Sequence, residues 1–393
     1  MVREICIHNA TVLNGFSTMK NCAVLIKQHK IIDVFNETRF LKKTFKPDTV
    51  FIDVKGAYVS PGFIDTHIHG FGGYGTDDYN SESILKMSEL LTQYGVTSFI
   101  PTLYSAQEDK LIAGIKAITE AMGKEKGAKI LGIHLEGPFL SPDRLGVQTP
   151  DSLSPVNIEL MERLWEASEG KIINMTVAPE LKNMRELALY CVSKGIVLQA
   201  GHTNATYAQM IEGMQVRIYH VTHLFNAMSR MHHRDPGAVG AVFIHPELSC
   251  EVIADGIHIN PDIIKFLVAC KTLDKIVLVT DALKPTKQTK KPLIANGEEV
   301  YLDKCFYRKS DNAIAGSALT MIDSVKNIVS YGFTVEQAIH MASTNPARIM
   351  RTQHLGLIAP GYDADIVIFN KNLNILHTII KGNIYQKGKK LCV

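Results

Sequence analysis

The chain has 393 residues, of which 46% are hydrophobic and 21% charged, which is typical of a globular protein with one large domain and a smaller one. Lys and Arg number 42 against 39 Asp and Glu, and a net charge of +3 gives no basic field for binding nucleic acid or a membrane surface. No stretch approaches the roughly 18 uninterrupted apolar residues of a membrane-spanning helix, so we expect neither partner.

The first part of the chain predicts a small β domain. Short apolar runs at 4–13, 21–35 and 49–60 are separated by turn residues, and no helical periodicity of useful length appears among them. We assign residues 1–58 to the N-terminal part of this domain.

From Pro61 onward, apolar runs rich in β-branched residues alternate with longer helix-like stretches, such as 81–95 and 156–170. Eight strand–helix repeats over this length predict an α/β fold, a TIM-like (β/α)8 barrel over residues 59–353. The eight candidate strands are "GFIDTHIH" (62–69), "VTSFIP" (96–101), "KILGIHLE" (129–136), "IINMTVAP" (172–179), "IVLQAGH" (196–202), "YHVTHLF" (219–225), "CEVIAD" (250–255) and "KIVLVTD" (275–281).

The end of the chain returns to strand character. A helix-like segment at 334–350 is followed by alternating apolar residues at 364–386. We assign residues 354–393 to the C-terminal part of the small domain, which becomes a β-sandwich built from both chain ends.

Cysteine usage and the start of the chain bear on the compartment. The seven cysteines are scattered and never in CxxC spacing, which indicates reduced thiols and no catalytic cysteine. The first residues carry Glu4 and no apolar core of a secretory signal. We expect a cytoplasmic protein.

Six polar side chains stand at the carboxyl ends of predicted barrel strands, the rim where barrel active sites are assembled. Two of them, His67 and His69, project from the same face of the first strand, because residues two apart in a strand share a face. A lone histidine is more often a core or surface residue, so the prediction depends on the whole set. The set is His67, His69, Glu136, His202, His223 and Asp281.

Imidazoles and carboxylates are ligands of divalent transition metals, and four histidines with two carboxylates suffice for one or two ions. Two ions about 3.5–4 Å apart need a bridging group, for which Glu136 is suited. The donor set accepts zinc, iron, manganese or cobalt. We expect one or two divalent ions at this rim.

The reaction class follows from this site. A divalent ion lowers the pKa of the water it binds to about 7, so hydroxide is available at neutral pH. Asp281 is placed to take a proton from that water as it attacks a carbonyl, and to pass the proton to a leaving nitrogen. The sequence therefore predicts metal-assisted hydrolysis of an amide or related C–N bond.

The order of these residues resembles the amidohydrolase superfamily: HxH on strand 1, His after strands 5 and 6, and Asp after strand 8. Strand 4 offers no lysine, unlike dihydroorotase-like and urease-like members. From residue 60 to about 370 the chain resembles the N-acetylglucosamine-6-phosphate deacetylase family. The motifs are "HLEGPFLSP" (134–142), "AGHTNA" (200–205), "THLFNAM" (222–228), "DPGAVGA" (235–241), "ADGIHI" (254–259), "LVTDA" (278–282), "AGSALTM" (315–321) and "ADIVIFN" (364–370).

This resemblance implies deacetylation of N-acetylglucosamine 6-phosphate to glucosamine 6-phosphate and acetate, in amino-sugar catabolism and cell-wall recycling. It implies metal ligation by Glu136, His202 and His223. Because some members replace the HxH pair by amides and hold one ion, keeping His67 and His69 favours two ions. Asp281 matches the catalytic acid/base.

The resemblance also implies substrate contacts. Asn226 and Ala227 match a loop that contacts the sugar phosphate, and His258 matches a substrate-contacting histidine. Arg234 matches an arginine that reaches the phosphate from the partner subunit, which implies a homodimer.

Two further contacts implied by the resemblance are less direct. Gln148 stands where some members carry a histidine near the substrate. Leu319 is expected to face the acetyl methyl, although a leucine in an apolar run is as readily a core residue.

The sequence is also compatible with other functions. The same scaffold serves deaminases and acyl-amino-acid hydrolases, against which the HLEGP, HLFNAM and HRDPG segments argue. A non-catalytic barrel retained as a structural protein is a further alternative, although such descendants usually lose ligands that are all present here. Selectivity between glucosamine and galactosamine substrates is also open.

Overall fold

The computed structural model describes residues 4–386 and 389–390, so Cys392 lies outside the described residues. A nine-stranded, mainly antiparallel sheet combines the two chain ends and confirms the predicted small β domain. The two chain ends are joined in this sheet by the antiparallel pairing of Ile366–Phe369 with Tyr58–Pro61. The strands are Glu4–Leu13, Thr18–Lys27, Lys30–Asn36, Val50–Asp53, Tyr58–Pro61, Ile366–Phe369, Ile375–Ile380, Asn383–Gln386 and Lys389–Lys390.

This sheet is stabilised by alternating apolar side chains that pack into a core of their own. Ile5, Ile7, Val24 and Ile26 are buried together in it. The apolar runs that predicted these strands are thus buried, and a second cluster with Cys6, Ala23 and Leu25 covers the opposite face of the first two strands. The boundaries at residues 58 and 353 remain predictions.

The second sheet is the predicted barrel, in which neighbouring strands run parallel and each is followed by a helix. Strand 8 returns to strand 1 through a parallel bridge between Ile68 and Ala282, and the backbone N–H of Asp281 donates to the carbonyl of His67 at 2.9 Å. Barrel strands 1 to 8 are Phe63–Ile68, Val96–Leu103, Ile133–Glu136, Ile172–Val177, Val197–Ala200, His220–Val221, Ser249–Ile253 and Ile276–Val279.

Several of the barrel helices begin at polar caps. The side chains of Asn80, Asn157, Thr206 and Thr320 each accept a backbone N–H from the first turn of their helix. In strand order the helices are Ser81–Leu91, Glu108–Ala121, Ile158–Ala167, Met184–Ser193, Tyr207–Gln215, Gly237–Ile244, Pro261–Cys270 and Met321–Ser330.

The predicted helix-like segment at 334–350 forms one helical run, Val335–Ile339, His340–Thr344 and Asn345–Ile349, whose middle part is a π-helix. The remaining helix is short, Glu37–Lys42. Single 3-10 turns occur at Thr76–Asp78, Thr92–Tyr94, Pro142–Arg144, Pro150–Ser152 and Leu273–Lys275. In the part of the chain that the structure describes, no helix has the length and apolar character to cross a bilayer.

One element was not predicted. Between barrel strand 8 and its helix, a four-stranded antiparallel sheet packs against the rim of the barrel, with Phe306 and Leu283 in a small core. Its strands are only three to five residues long and partly exposed, so they leave little periodic signal. They are Leu293–Ala295, Glu298–Leu302, Phe306–Arg308 and Ile314–Gly316, and shorter two-residue strands occur at Gly70–Phe71, Tyr74–Gly75 and Lys129–Ile130.

Candidate active site

The six residues proposed as ligands or acid/base meet at the carboxyl ends of the barrel strands, and all are buried. Five of them line a cavity of about 190 Å³, and His67 is not among its lining residues. The cavity is lined by His69, Tyr104, Glu136, Gly146, Val147, His202, His223, Asn226, Ala227, His258, Asp281, Ile314, Ala315 and Gly316.

The turn after the HxH pair requires a residue without a side chain. A Cβ at Gly70 would lie 2.5 Å from the Cα of Lys284, so the backbone at the end of strand 1 approaches the segment after strand 8 closely. The glycine that follows His69 in the sequence is thus explained by the closure of the barrel.

Glu136 is the centre of the site. Its Oε1 lies 3.2 Å from His202 Nε2, 3.1 Å from His223 Nε2 and 3.4 Å from His67 Nε2. Its Oε2 lies 3.4 Å from His69 Nε2. One carboxylate therefore faces the Nε2 atoms of four imidazoles that come from barrel strands 1, 5 and 6.

Two sets of three ligands are each compact enough for one ion. In each set the ligand atoms lie within 4.8 Å of one another. Glu136 touches both sets, which is the arrangement that a bridging carboxylate requires. The first set is Glu136, His202 and His223, and the second is His67, His69 and Asp281.

A divalent ion would satisfy the nitrogen atoms of these histidines better than their contacts with one another do. The Nε2 atoms of His202 and His223 lie 3.2 Å apart, and the buried Nε2 of His67 has no hydrogen-bond partner among the described residues. Buried polar atoms are almost always paired with a complementary group, so an unpaired nitrogen, together with two nitrogens that face each other, indicates a site for a cation.

The other ring nitrogens orient three of the imidazoles. Nδ1 of His69 lies 3.1 Å from the carbonyl of Thr102, and Nδ1 of His202 lies 3.0 Å from the carbonyl of Leu145. Nδ1 of His67 instead lies 2.9 Å from a carboxylate oxygen of Glu251. Such contacts place the proton on Nδ1 and leave Nε2 free to bind metal.

The electrostatics of the cluster favour positive charge at its centre. Burial alone would raise the pKa of Glu136, but His202 and the neighbouring imidazoles hold it well below its usual range. Burial would lower the pKa of His67, but the carboxylates of Glu251 and Glu136 raise it well above the ordinary value. The carboxylates are therefore ionised at neutral pH.

Asp281 lies beside the HxH pair. Its Oδ1 is 3.4 Å from His69 Nε2 and 3.7 Å from His67 Nε2. Burial would raise its pKa, but the hydrogen bond with His69 and the charge of His67 lower it. Its backbone is left-handed, with φ at 48°, and His202 and His223 share this conformation at 46° and 24°. Residues other than glycine rarely adopt this backbone conformation, and such strain concentrates at functional sites.

The structure also places three of the predicted substrate contacts at the cavity, namely Asn226, Ala227 and His258. The side-chain amide of Asn226 donates to the carbonyls of His223 and Leu224, both at 3.2 Å, and so holds the loop that carries it. Nδ1 of His258 lies 2.6 Å from Asp255, which orients its ring.

Gln148 and Leu319 were predicted to contact substrate, and in this structure they make contacts with other residues of the protein. Nε2 of Gln148 donates to Oε2 of Glu136 at 2.8 Å, and its buried Oε1 has no partner among the described residues. Leu319 packs in an apolar cluster with Ile253, Val277 and Val279 and is not among the residues that line the cavity. Contact of either residue with substrate stays a prediction.

Arg234 lies outside the cavity of its own chain. It is exposed on the loop at 231–235, and its Nη1 lies 3.0 Å from Nε2 of His233. Within one chain it is thus free to reach outward, and its contact with substrate stays a prediction.

Sequence reasoning missed two residues that touch the site. Tyr104, just after strand 2, stacks on His69 with ring centroids 3.8 Å apart and planes at 10°. Glu251 is an acid within the otherwise apolar strand "SCEVI", and that break in the pattern was the available signal. The signal for Tyr104 was weaker, since an aromatic residue after an apolar strand is usually core.

Comparison with known proteins shows the family to which this chain belongs. The amidohydrolase family model matches residues 58–385. The N-acetylglucosamine-6-phosphate deacetylase of Lysinibacillus sphaericus is 31% identical over 384 residues, 97% of each chain. The N-acetylgalactosamine-6-phosphate deacetylase of Escherichia coli O157:H7 is 30% identical over 327 residues, 82% of this chain and 86% of that protein.

A solved structure agrees over the whole fold. The crystal structure of N-acetylglucosamine-6-phosphate deacetylase from Pasteurella multocida superposes with a TM-score of 0.91 at 27% identity, covering 98% of this chain and 100% of that one. The barrel and the small domain are thus shared with that protein. The chain belongs to the amidohydrolase family and, within it, groups with the N-acetylglucosamine-6-phosphate deacetylases.

Proposed function

We propose that this protein hydrolyses the acetamide of N-acetylglucosamine 6-phosphate and releases glucosamine 6-phosphate and acetate. The observation that carries the proposal is the convergence of four imidazole Nε2 atoms on Glu136, with Asp281 beside them at a small cavity. Membership of the deacetylase group supports the choice of substrate.

The proposed cofactor is one or two divalent ions, and we favour two. Glu136, His202 and His223 would hold one ion, and His67, His69 and Asp281 the other. When bound, such ions make water a nucleophile at neutral pH and polarise the amide carbonyl. Zinc, iron, manganese and cobalt all suit this donor set.

Asp281 is proposed as the acid/base. The lowered pKa of Asp281 means that its carboxylate is ionised at neutral pH and ready to accept a proton from the attacking water. The carboxyl group then gives the proton to the amide nitrogen, which leaves as the amine of the sugar. Its position against His69 holds the carboxylate at the cavity during both transfers.

Substrate binding is proposed to use the cavity wall and a second subunit. His258, the loop of Asn226 and Ala227, and the amide of Gln148 would contact the sugar and its phosphate. Arg234 would bind the phosphate of the partner subunit's substrate, since a guanidinium matches a phosphate dianion in a bidentate manner. A homodimer is supported by two exposed apolar side chains, Met231 on this loop and Ile244 at the end of the helix that follows, each 52% exposed.

We place the reaction in amino-sugar catabolism and the recycling of cell-wall sugars, in the cytoplasm. The six cysteines that the structure describes are all free, which suits a reducing compartment.

A substrate panel tests this proposal. Acetate and ammonia are measured after incubating the metal-replete protein with N-acetylglucosamine with and without its 6-phosphate. We expect acetate from the phosphorylated sugar, little from the free sugar, and no ammonia. Ammonia without acetate would indicate a deaminase and overturn the proposal.

The galactosamine epimer is the second candidate substrate, because a relative of 30% identity carries the name of an N-acetylgalactosamine-6-phosphate deacetylase. The same assay with both 6-phosphates decides between the two epimers. A higher kcat/KM for N-acetylgalactosamine 6-phosphate would replace the substrate and leave the chemistry in place.

A further inference from the structure

Glu251 is a carboxylate in the middle of barrel strand 7, Ser249–Ile253, and its exposed fraction is 0%. Burying a carboxylate is costly unless it is paired and hydrogen-bonded. The neighbouring residues of the strand are Cys250 and Val252, which give it no charged partner. Its presence therefore calls for partners across the interior of the barrel.

Two of those partners are histidines of the proposed metal site. One oxygen, Oε2, lies 2.9 Å from Nδ1 of His67 and accepts the backbone N–H of His223 at 3.2 Å. The other oxygen accepts from Nε2 of Gln199 at 3.3 Å. A single carboxylate oxygen thus contacts one residue from each of the two ligand sets.

His67 differs in this respect from the other three imidazoles. Nδ1 of His69 and Nδ1 of His202 face backbone carbonyls, and Nδ1 of His223 has no partner within residues 4–386 and 389–390. A carboxylate is a stronger acceptor than a carbonyl, and it also makes the imidazole a better electron donor. Of the four imidazoles, the ring of His67 is therefore held in place most strongly, and its Nε2 is the best electron donor to a metal ion.

We propose that Glu251 is a positioning residue that fixes the ring and tautomer of His67 and thereby sets the affinity of the ion held by His67 and His69. This inference rests on the proposed metal-dependent function and adds to it a residue outside the ligand set. Glu251 does not touch the substrate cavity, so it acts through His67.

The test compares Glu251→Leu with Glu251→Gln. The leucine has a similar size but offers no acceptor, whereas the glutamine keeps a carbonyl oxygen that accepts from His67 and His223. Its new amide group replaces the oxygen that accepts from Nε2 of Gln199, and a flip of the Gln199 amide turns toward it an Oε1 that is unpaired among the described residues.

Zn²⁺ is added to metal-free protein in competition with a chromophoric chelator, and bound zinc per chain is counted by mass spectrometry of the metal. The zinc that disappears in His67→Ala defines the His67-dependent ion. We expect Glu251→Leu to weaken this ion about 10- to 100-fold, and Glu251→Gln to bind it close to the unmodified protein. Zinc at Glu136, His202 and His223 should stay bound.

Asn174→Leu is the matched control. Asn174 is a fully buried polar residue on barrel strand 4, and its amide has no hydrogen-bond partner in the described part of the chain. The substitution exchanges a buried polar group for leucine without touching His67. Zinc binding equal to that of the unmodified protein supports the proposal, and an equal loss would overturn it as a general effect of packing.

The remaining outcomes are also decisive. Unchanged affinity in Glu251→Leu overturns the inference and leaves the proposed function intact. Absence of a His67-dependent ion in the unmodified protein overturns both the inference and the two-ion site. If Glu251→Leu does not fold, Glu251→Asp replaces it, because its carboxylate is one methylene short of His67 and the same weakening is expected.

Discussion

Nε2 of His69 and Oδ1 of Asp281 lie 3.4 Å apart, although they come from the first and the last strands of the barrel. Closure of the barrel produces this contact, since the N–H of Asp281 donates to the carbonyl of His67 in the neighbouring strand. The proposed acid/base is thus held against the proposed ligands by backbone pairing, which a flexible loop would not provide.

Asp281→Asn should abolish most of the acetate release. An amide cannot accept the proton of the attacking water, so kcat should fall about 10²- to 10⁴-fold with little change in KM. Steady-state kinetics with the 6-phosphate substrate measure both. Asp274→Asn, in the turn that enters the same strand at its other end, should keep the unmodified kcat. A normal kcat in Asp281→Asn would remove the residue from proton transfer.

Arg234→Ala should weaken binding of the phosphorylated substrate and leave the chemical step nearly intact. Loss of a hydrogen bond to a charged group costs about 1.5–3 kcal/mol, which corresponds to a rise in KM of about 10- to 150-fold. Arg217→Ala, an exposed arginine at the opposite end of the barrel, is the control and should match the unmodified protein. An unchanged KM in Arg234→Ala would exclude Arg234 from the phosphate site.

Tyr104 should support activity through its ring. Because the ring stacks on His69 at 3.8 Å, Tyr104→Ala leaves a void beside a proposed ligand, and activity should fall about 10- to 100-fold. Tyr104→Phe keeps the ring and should stay near the unmodified kcat. Equal losses in the two variants would instead assign the effect to the hydroxyl.

Asp363 should give a pH-dependent contribution to stability. Its carboxylate lies 2.7 Å from Lys30 Nζ and 3.1 Å from Lys129 Nζ, and so links the small domain to the barrel. Burial would raise its pKa, but the hydrogen bond with Lys30 and the charge of Lys129 lower it. A lowered pKa in the folded state stabilises the protein above the unfolded value of about 3.9, and this contribution disappears as the pH falls through the folded value.

Asp363→Asn should therefore lower the free energy of unfolding at pH 7 by on the order of 1 kcal/mol, because solvent screens the partly exposed pair. Urea unfolding of both proteins between pH 7 and pH 3 measures the difference. It should be constant down to about pH 5 and shrink below about pH 4. A difference that grows toward low pH would contradict the assignment.

The barrel was predictable because its strands are mainly apolar runs rich in β-branched residues, and helical patterns follow them. A strand that is buried on both faces is apolar along most of its length. Because the strands run parallel, their carboxyl ends place His67, Glu136 and Asp281 at one rim. The small sheet at 293–316 was not predictable in this way. Its short strands, such as Glu298–Leu302, expose alternate or successive residues and so have no strong periodicity.

The orientation of the imidazoles was likewise hidden in the sequence. The partner of His202 is the carbonyl of Leu145, and a backbone atom carries no residue-specific signal. Glu251 did leave a signal, as an acid within an apolar strand, but its partner His67 is determined only by the closed barrel.

The most direct test of the central claim is acetate release from N-acetylglucosamine 6-phosphate by one preparation, measured as purified, after removal of metal by a chelator, and after return of zinc, iron, manganese or cobalt. The proposed site predicts that release is lost with the metal and restored by at least one ion. Release that persists in metal-free protein, or no release from metal-replete protein, would contradict the account.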